Sequence, residues 1–130
     1  MADIRSVIRE LEDRFDRVAQ LSYIRMCDLM ILPTPYDTSS AQASWTPSRG
    51  GPVSRYVEMT AGPRYPQRAT VVAVGNSLRV GQTASLANGA PYIGRLEYGW
   101  SGQAQGFVRS AIAQWQAVAQ ESAGIAARGG

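Results

Sequence analysis

Carboxylates are the side chains of this sequence with the clearest capacity for acid and base chemistry. Asp37, Glu58 and Glu97 lie outside the first predicted helix, and a fold could bring them together as a glycosidase or a magnesium site requires. Their spacing does not favour such a meeting, and surface carboxylates are usually solvated or paired with arginine. The sequence contains no histidine, which removes the commonest general base and the commonest metal ligand. We therefore expect no enzymatic activity, no metal and no cofactor.

Two further features could carry chemistry, and neither does so convincingly. The glycines of residues 48–52 lack the Gly-Lys-Ser/Thr ending of a phosphate-binding loop, so they predict a turn or a flexible tip. Cys27 is the only cysteine, which excludes an internal disulfide and fits maturation in a reducing cytoplasm. It stands in a helical pattern beside Met26, which favours a small core residue over a reactive thiol.

Basic residues are all of one type. The thirteen are arginines, and ten carboxylates reduce the net charge to +3. The planar arginine fork suits interfaces, but without a dense basic run the electrostatic signature of a DNA-binding protein is weak. Five arginines could lie at solvated strand edges: Arg55, Arg64, Arg68, Arg79 and Arg95. We expect contact with DNA to be non-specific at most.

The size and composition predict one domain. The chain has 130 residues, 45% hydrophobic and 18% charged, as in a folded protein with one modest core. We therefore expect a single domain over residues 1–130. The first residues lack the pattern of a secretory signal, and no apolar stretch approaches the roughly twenty residues that span a membrane.

Residues 1–32 predict a long amphipathic helix. Neither proline nor glycine occurs there, and apolar or small residues alternate at spacings of four and three: Ile4, Ile8, Leu11, Phe15, Val18 and Ser22. On the solvent-exposed face, pairs of an acidic residue and an arginine four positions apart should stabilise the helix: Glu10 with Arg14 and Asp13 with Arg17. Such a helix would extend roughly 45 Å at about 1.5 Å per residue. This exceeds what one small domain covers, so we expect part of it to contact another subunit.

The rest of the chain predicts an extended loop, a sheet and a second helix. Pro33 and Pro35 end the first helix. Residues 33–54 predict a long extended loop, or arm, of a length that is usually functional or partly disordered until bound. Strands are predicted within residues 55–100, with segment 91–100 either helix or strand. The strand ranges are 55–61, 69–74 and 78–86, with a turn at 75–77. Residues 107–126 predict the closing helix. The predicted elements are therefore two helices and a small number of strands between them.

Three features in this order resemble a known family. They are the long charged first helix, Pro-Tyr-Asp-Thr at residues 35–38, and Leu-Glu-Tyr-Gly-Trp at residues 96–100 followed by residues 103–109. This pattern is similar to the tail-completion, or neck, proteins of long-tailed bacteriophages. The chain has serine where the family has glycine after Thr38, and Gln105 replaces a usual proline.

The resemblance implies an α+β fold, with the long N-terminal helix and the C-terminal helix on one face of a small antiparallel sheet. It also implies a non-enzymatic subunit of a homo-oligomeric ring that joins head to tail, in contact with adjacent neck and tail proteins. A further implication is a place in the virion after assembly in the host cytoplasm. In such a ring the five arginines named above could equally line a channel through which DNA passes. Candidate interface residues are Trp45, Tyr92, Arg95, Glu97, Tyr98, Trp100 and Phe107. Trp45 could equally be a core residue. Two alternatives remain: a tail-terminator or head-closure ring, or a nucleic-acid-binding module that uses arginine and aromatic stacking.

Overall fold

The first helix is confirmed. The structure, a computed structural model, describes residues 3–34, 40–58, 62–91, 93 and 107–129. Helix α1 spans Ile4–Ile31 and begins at Asp3, whose carboxylate accepts a hydrogen bond from the Ser6 N–H at 2.8 Å. This bond satisfies one of the amides that a helix leaves unpaired at its start. The helix ends before Pro33, as proline requires.

The segment expected to be an extended loop is partly regular structure. Helix α2 spans Ser40–Ala43, and strand β1 spans Trp45–Arg49. Strand β2 spans Ala84–Asn88 and pairs antiparallel with β1, with Trp45 opposite Asn88. Pro47 lies within β1 because each strand of a two-stranded sheet has one free edge, where a missing amide donor is tolerated. The prediction of an extended loop over residues 33–54 is therefore wrong for residues 40–43 and 45–49.

The strand expected at 69–74 is also wrong. Helix α3 spans Arg68–Asn76 and therefore includes most of the predicted turn at 75–77. Its β-branched residues favour a strand locally, but Val71 and Gly75 are buried one helical turn apart. A side chain at Gly75 would overlap Ile24 of α1, so glycine allows the two helices to approach closely. Tertiary packing thus outweighs the strand preference.

The other two predicted strands are only partly regular. Residues 55–58 are exposed and irregular, although the Gly89 N–H donates to the Arg55 carbonyl at 2.8 Å. Residues 59–61 lie outside the described part of the chain. The strand predicted at 78–86 begins only at Ala84, because residues 78–83 are irregular, with a turn at residues 80–81, and are hydrogen bonded to α1.

The closing helix is interrupted. Helix α4 spans Phe107–Ala113 and helix α5 spans Trp115–Ala127, with a turn at Gln114. Helix α5 packs along α1, and its buried residues Val118, Ser122 and Ala126 recur at spacings of four.

The core lies between α1, the strands and α3. The largest group of buried apolar residues comprises Cys27, Ile31, Ala41, Trp45, Tyr65 and Val71. The hydroxyl of Tyr23 donates to the Ser85 carbonyl at 2.8 Å and joins α1 to β2. The fold is α+β, with a long first helix and a closing helical segment packed on a small antiparallel sheet.

Candidate functional site

The first half of α1 projects from the fold. Every residue from Asp3 to Phe15 is exposed, whereas the buried residues of the helix begin at Ser22. The projecting half carries an apolar row whose exposed fractions are 75% for Ile4, 49% for Ile8, 46% for Leu11 and 56% for Phe15. These are the residues whose spacing predicted the helix. The row is therefore formed as expected, but the described residues of this chain do not cover it.

The projecting half is stabilised as a helix without help from the core. In addition to the bond from Ser6, the Arg14 guanidinium contacts the Glu10 carboxylate at 2.9 Å, which confirms one of the expected pairs. Exposed pairs four apart contribute about 0.3–0.5 kcal/mol. The bond from Ser6 also lowers the pKa of Asp3. The row is thus presented on an ordered helix, as binding to a partner helix requires.

An apolar groove continues the row beyond Phe15. It runs between α1, the turns after α3 and helix α5, and its apolar walls include Phe15, Val18, Met26, Val80 and Trp115. Two of these are as open as the row itself, with Val80 59% and Trp115 52% exposed. Phe15 belongs to both features, so the row and the groove form one continuous apolar surface.

Hydrogen bonds from α1 hold one wall of the groove. The Gln20 amide donates to the Leu78 carbonyl at 2.9 Å, and the Val80 N–H donates to the Asp16 carboxylate at 2.8 Å. The same carboxylate is 3.7 Å from the Arg79 guanidinium. Val80 is therefore exposed on a fixed backbone.

The buried titratable groups suit structure better than catalysis. Burial is the main cause that raises the pKa of the Cys27 thiol to about 12, whereas reactive thiols have lowered values. Burial, followed by the hydrogen bond to Asp28, also raises the pKa of Tyr65. The Tyr65 hydroxyl donates to Asp28 at 2.7 Å, and Arg68 lies 3.4 Å from the same oxygen. These groups join α1 to α3 and its preceding turn.

Most of the expected interface residues cannot be placed. Tyr92, Arg95, Glu97, Tyr98 and Trp100 lie outside the described residues, as does the side chain of Phe107, whose backbone begins α4. The carboxylates Asp37 and Glu97 lie outside them too, and Glu58 is exposed.

Trp45 is described, and it lies in the core. It is 6% exposed, and its indole N–H donates to the Thr34 hydroxyl at 2.8 Å. Val80 and Trp115 were not among the sequence candidates. Trp115 falls on the predicted apolar face of the closing helix, but spacing alone does not reveal that this end of the helix is uncovered.

Comparison of the chain with protein-family models, curated proteins and solved structures found no match. Among the described helices, none is both long and apolar enough to cross a membrane. In the same part of the chain, no cluster of three or more acidic or cysteine side chains could hold a metal ion. The continuous apolar surface is therefore the candidate site.

Proposed function

We propose that this chain is a structural subunit of a ring at the neck of a long-tailed bacteriophage, where it joins head to tail without catalysis. The resemblance of residues 35–38 and 96–109 to the neck proteins supports this assignment. The physical support is independent of the motifs. It is the projecting half of α1, whose apolar row the described part of the chain leaves exposed.

That open row is the observation that carries the proposal. Monomeric proteins seldom expose a contiguous apolar surface of this kind, and such surfaces mark sites of association. Ile4, Ile8 and Leu11 face solvent on a capped helix. A subunit built for a larger particle has this property, because its neighbours bury what it cannot bury alone.

The test is the protein content of purified virions of the phage that encodes this chain. We expect mass spectrometry to find the protein there, and cryo-electron microscopy to place it as a ring between portal and tail tube. Absence from the virion would overturn the proposal. Retention of the protein only on isolated tails would instead assign it to the tail-terminator layer.

Complementation separates an assembly role from mere presence in the particle. The variant Ile8→Asp with Leu11→Asp places two charges in the row, and we expect tail-less heads to accumulate when it replaces the normal protein. The control Ser6→Asp adds charge to the polar face of the same helix and should support normal assembly. Equal infectivity with both variants would show that the row has no part in joining head to tail.

A further inference from the structure

The apolar row has the spacing of a coiled-coil seam. Ile4, Ile8, Leu11, Phe15 and Val18 alternate at four and three residues, which corresponds to positions d, a, d, a and d of successive heptads. A face with this repeat packs against another helix with the same repeat. Every further copy of the chain offers such a face on its own α1.

The flanks of the row select the orientation of that second helix. Arg5 and Glu12 occupy the e positions on one side, and Val7 and Arg14 occupy the g positions on the other. A parallel pair brings g next to the following e, so Glu12 would face Val7 and no ion pair would form. An antiparallel pair brings e next to e, so Arg5 of each helix would face Glu12 of the other. Both side chains are exposed and available for this contact.

We propose that two copies of this chain pair through the projecting halves of their α1 helices, antiparallel about a two-fold axis between residues 9 and 10. The pairing of Arg5 with Glu12 fixes the register. In that register Ile4 lies against the partner's Phe15, and Ile8 lies against the partner's Leu11. All four layers of side chains across the contact are apolar. On the flank formed by the e positions, an ion pair between Arg5 and Glu12 lies at each end.

The length of the projecting segment fits this register. The overlap covers residues 4–15, which are the residues that the fold leaves exposed, and it extends about 18 Å at roughly 1.5 Å per residue. The two folded bodies begin at residue 16 of each chain and therefore lie at opposite ends of the overlap. The start of each α1 reaches the partner's Phe15, where the apolar groove opens beside Trp115.

The pairing does not depend on the proposed function. A two-fold contact uses the same patch on both copies and closes at two chains, whereas a ring of one layer grows through unlike patches. The pair is therefore a contact of the free protein, distinct from those that close a ring, and it opens where neighbours in a particle take over the same row.

The first test is the native mass of the full chain in dilute solution by sedimentation velocity. We expect about 28 kDa, twice the 14.0 kDa of one chain. The variants Arg5→Glu and Glu12→Arg each place like charges opposite one another twice, and each should raise the dimer Kd by about tenfold or more. The double exchange restores both ion pairs and should return Kd to within about threefold of the original.

A matched control uses the polar face of the same helix. Arg9→Glu and Asp13→Arg change the charge by the same amounts at exposed positions away from the row, and we expect both to leave Kd unchanged. Helix content measured by circular dichroism should be equal in all variants, which separates lost pairing from lost folding.

Cross-linking tests the orientation directly. In a mixture of Arg5→Cys and Glu12→Cys chains, a short bis-maleimide should join position 5 to position 12, and the buried Cys27 should not react. Links of position 5 to position 5 would refute the antiparallel pairing, and so would a monomer or a failure of the double exchange to restore the dimer. A dimer that is absent from virions would overturn the neck assignment and leave the pairing intact.

Discussion

Replacement of Gln42 by methionine tests whether helix α2, within the predicted extended loop of residues 33–54, belongs to the core. Gln42 is fully buried in α2. Its side-chain amide donates to the Ile31 carbonyl at 3.1 Å, and its oxygen accepts from the Tyr65 N–H at 2.7 Å. Methionine has a similar shape and can make neither bond. The substitution therefore removes the polar link between the end of α1 and the turn before α3.

The two lost bonds have unequal costs. The Ile31 carbonyl also accepts from the Thr34 N–H at 3.1 Å, so its lost bond costs about 1 kcal/mol. The Tyr65 N–H would be left buried without its partner, which costs about 1–3 kcal/mol. The more apolar side chain of methionine offsets about 1 kcal/mol of this sum. We expect the free energy of unfolding to fall by about 1–3 kcal/mol.

Urea unfolding at a fixed protein concentration measures this change, because association would otherwise add to the apparent stability. The midpoint should fall by roughly 0.5–2 M with an unchanged slope. The control Gln116→Met alters an exposed glutamine of α5 and should leave the midpoint within error. A loss below about 0.5 kcal/mol for Gln42→Met would refute the assignment of this segment to the core.

Three smaller predictions use the same assay. Gly75→Ala should lower the free energy of unfolding by about 1–3 kcal/mol, because the added methyl group overlaps Ile24. An unchanged midpoint would contradict the close approach of the two helices. Gly124 lies within α5, and an added methyl group there would contact only the end of the Arg128 side chain. Gly124→Ala should therefore raise the free energy of unfolding by about 0.5–1 kcal/mol, and a decrease would contradict this prediction. Burial raises the pKa of Cys27 from 9.0 to about 12. The thiol therefore ionises at a lower pH in the unfolded chain than in the folded one, and the free energy of unfolding should fall as the pH rises from about 9 to about 12. This fall should be smaller in Cys27→Ala.

The sequence was sufficient to predict α1 because its pattern is local. The four and three spacing from Ile4 to Val18 and the prolines after Ile31 determine the helix and its end without reference to any distant residue. The same spacing identified the apolar row. What it could not give is which part of the row the chain covers, since that depends on where α5 begins relative to Phe15.

The errors occur where distant contacts decide the structure. Val71, Val72 and Val74 favour a strand locally, and only the approach of Gly75 to Ile24 makes a helix the better packing. Likewise β1 contains a proline and stands in a polar stretch. It becomes a strand because its partner β2 lies almost forty residues away along the chain, beyond the reach of any local pattern.

The two halves of α1 show how its apolar row can be covered. Beyond Phe15 the row continues through Val18 to Ser22 along the groove, where helix α5 of the same chain packs on α1 and Ser22 is buried. Helix α5 begins at Trp115, whose half-exposed ring lies beside Phe15 in the groove. Helix α5 therefore flanks the second half of the row, which is partly covered, and starts where the fully exposed half ends. A second helix packed on the open half would extend the same packing. That helix must match the heptad spacing of the row and the charges of Arg5 and Glu12 beside it, and the α1 of another copy does both.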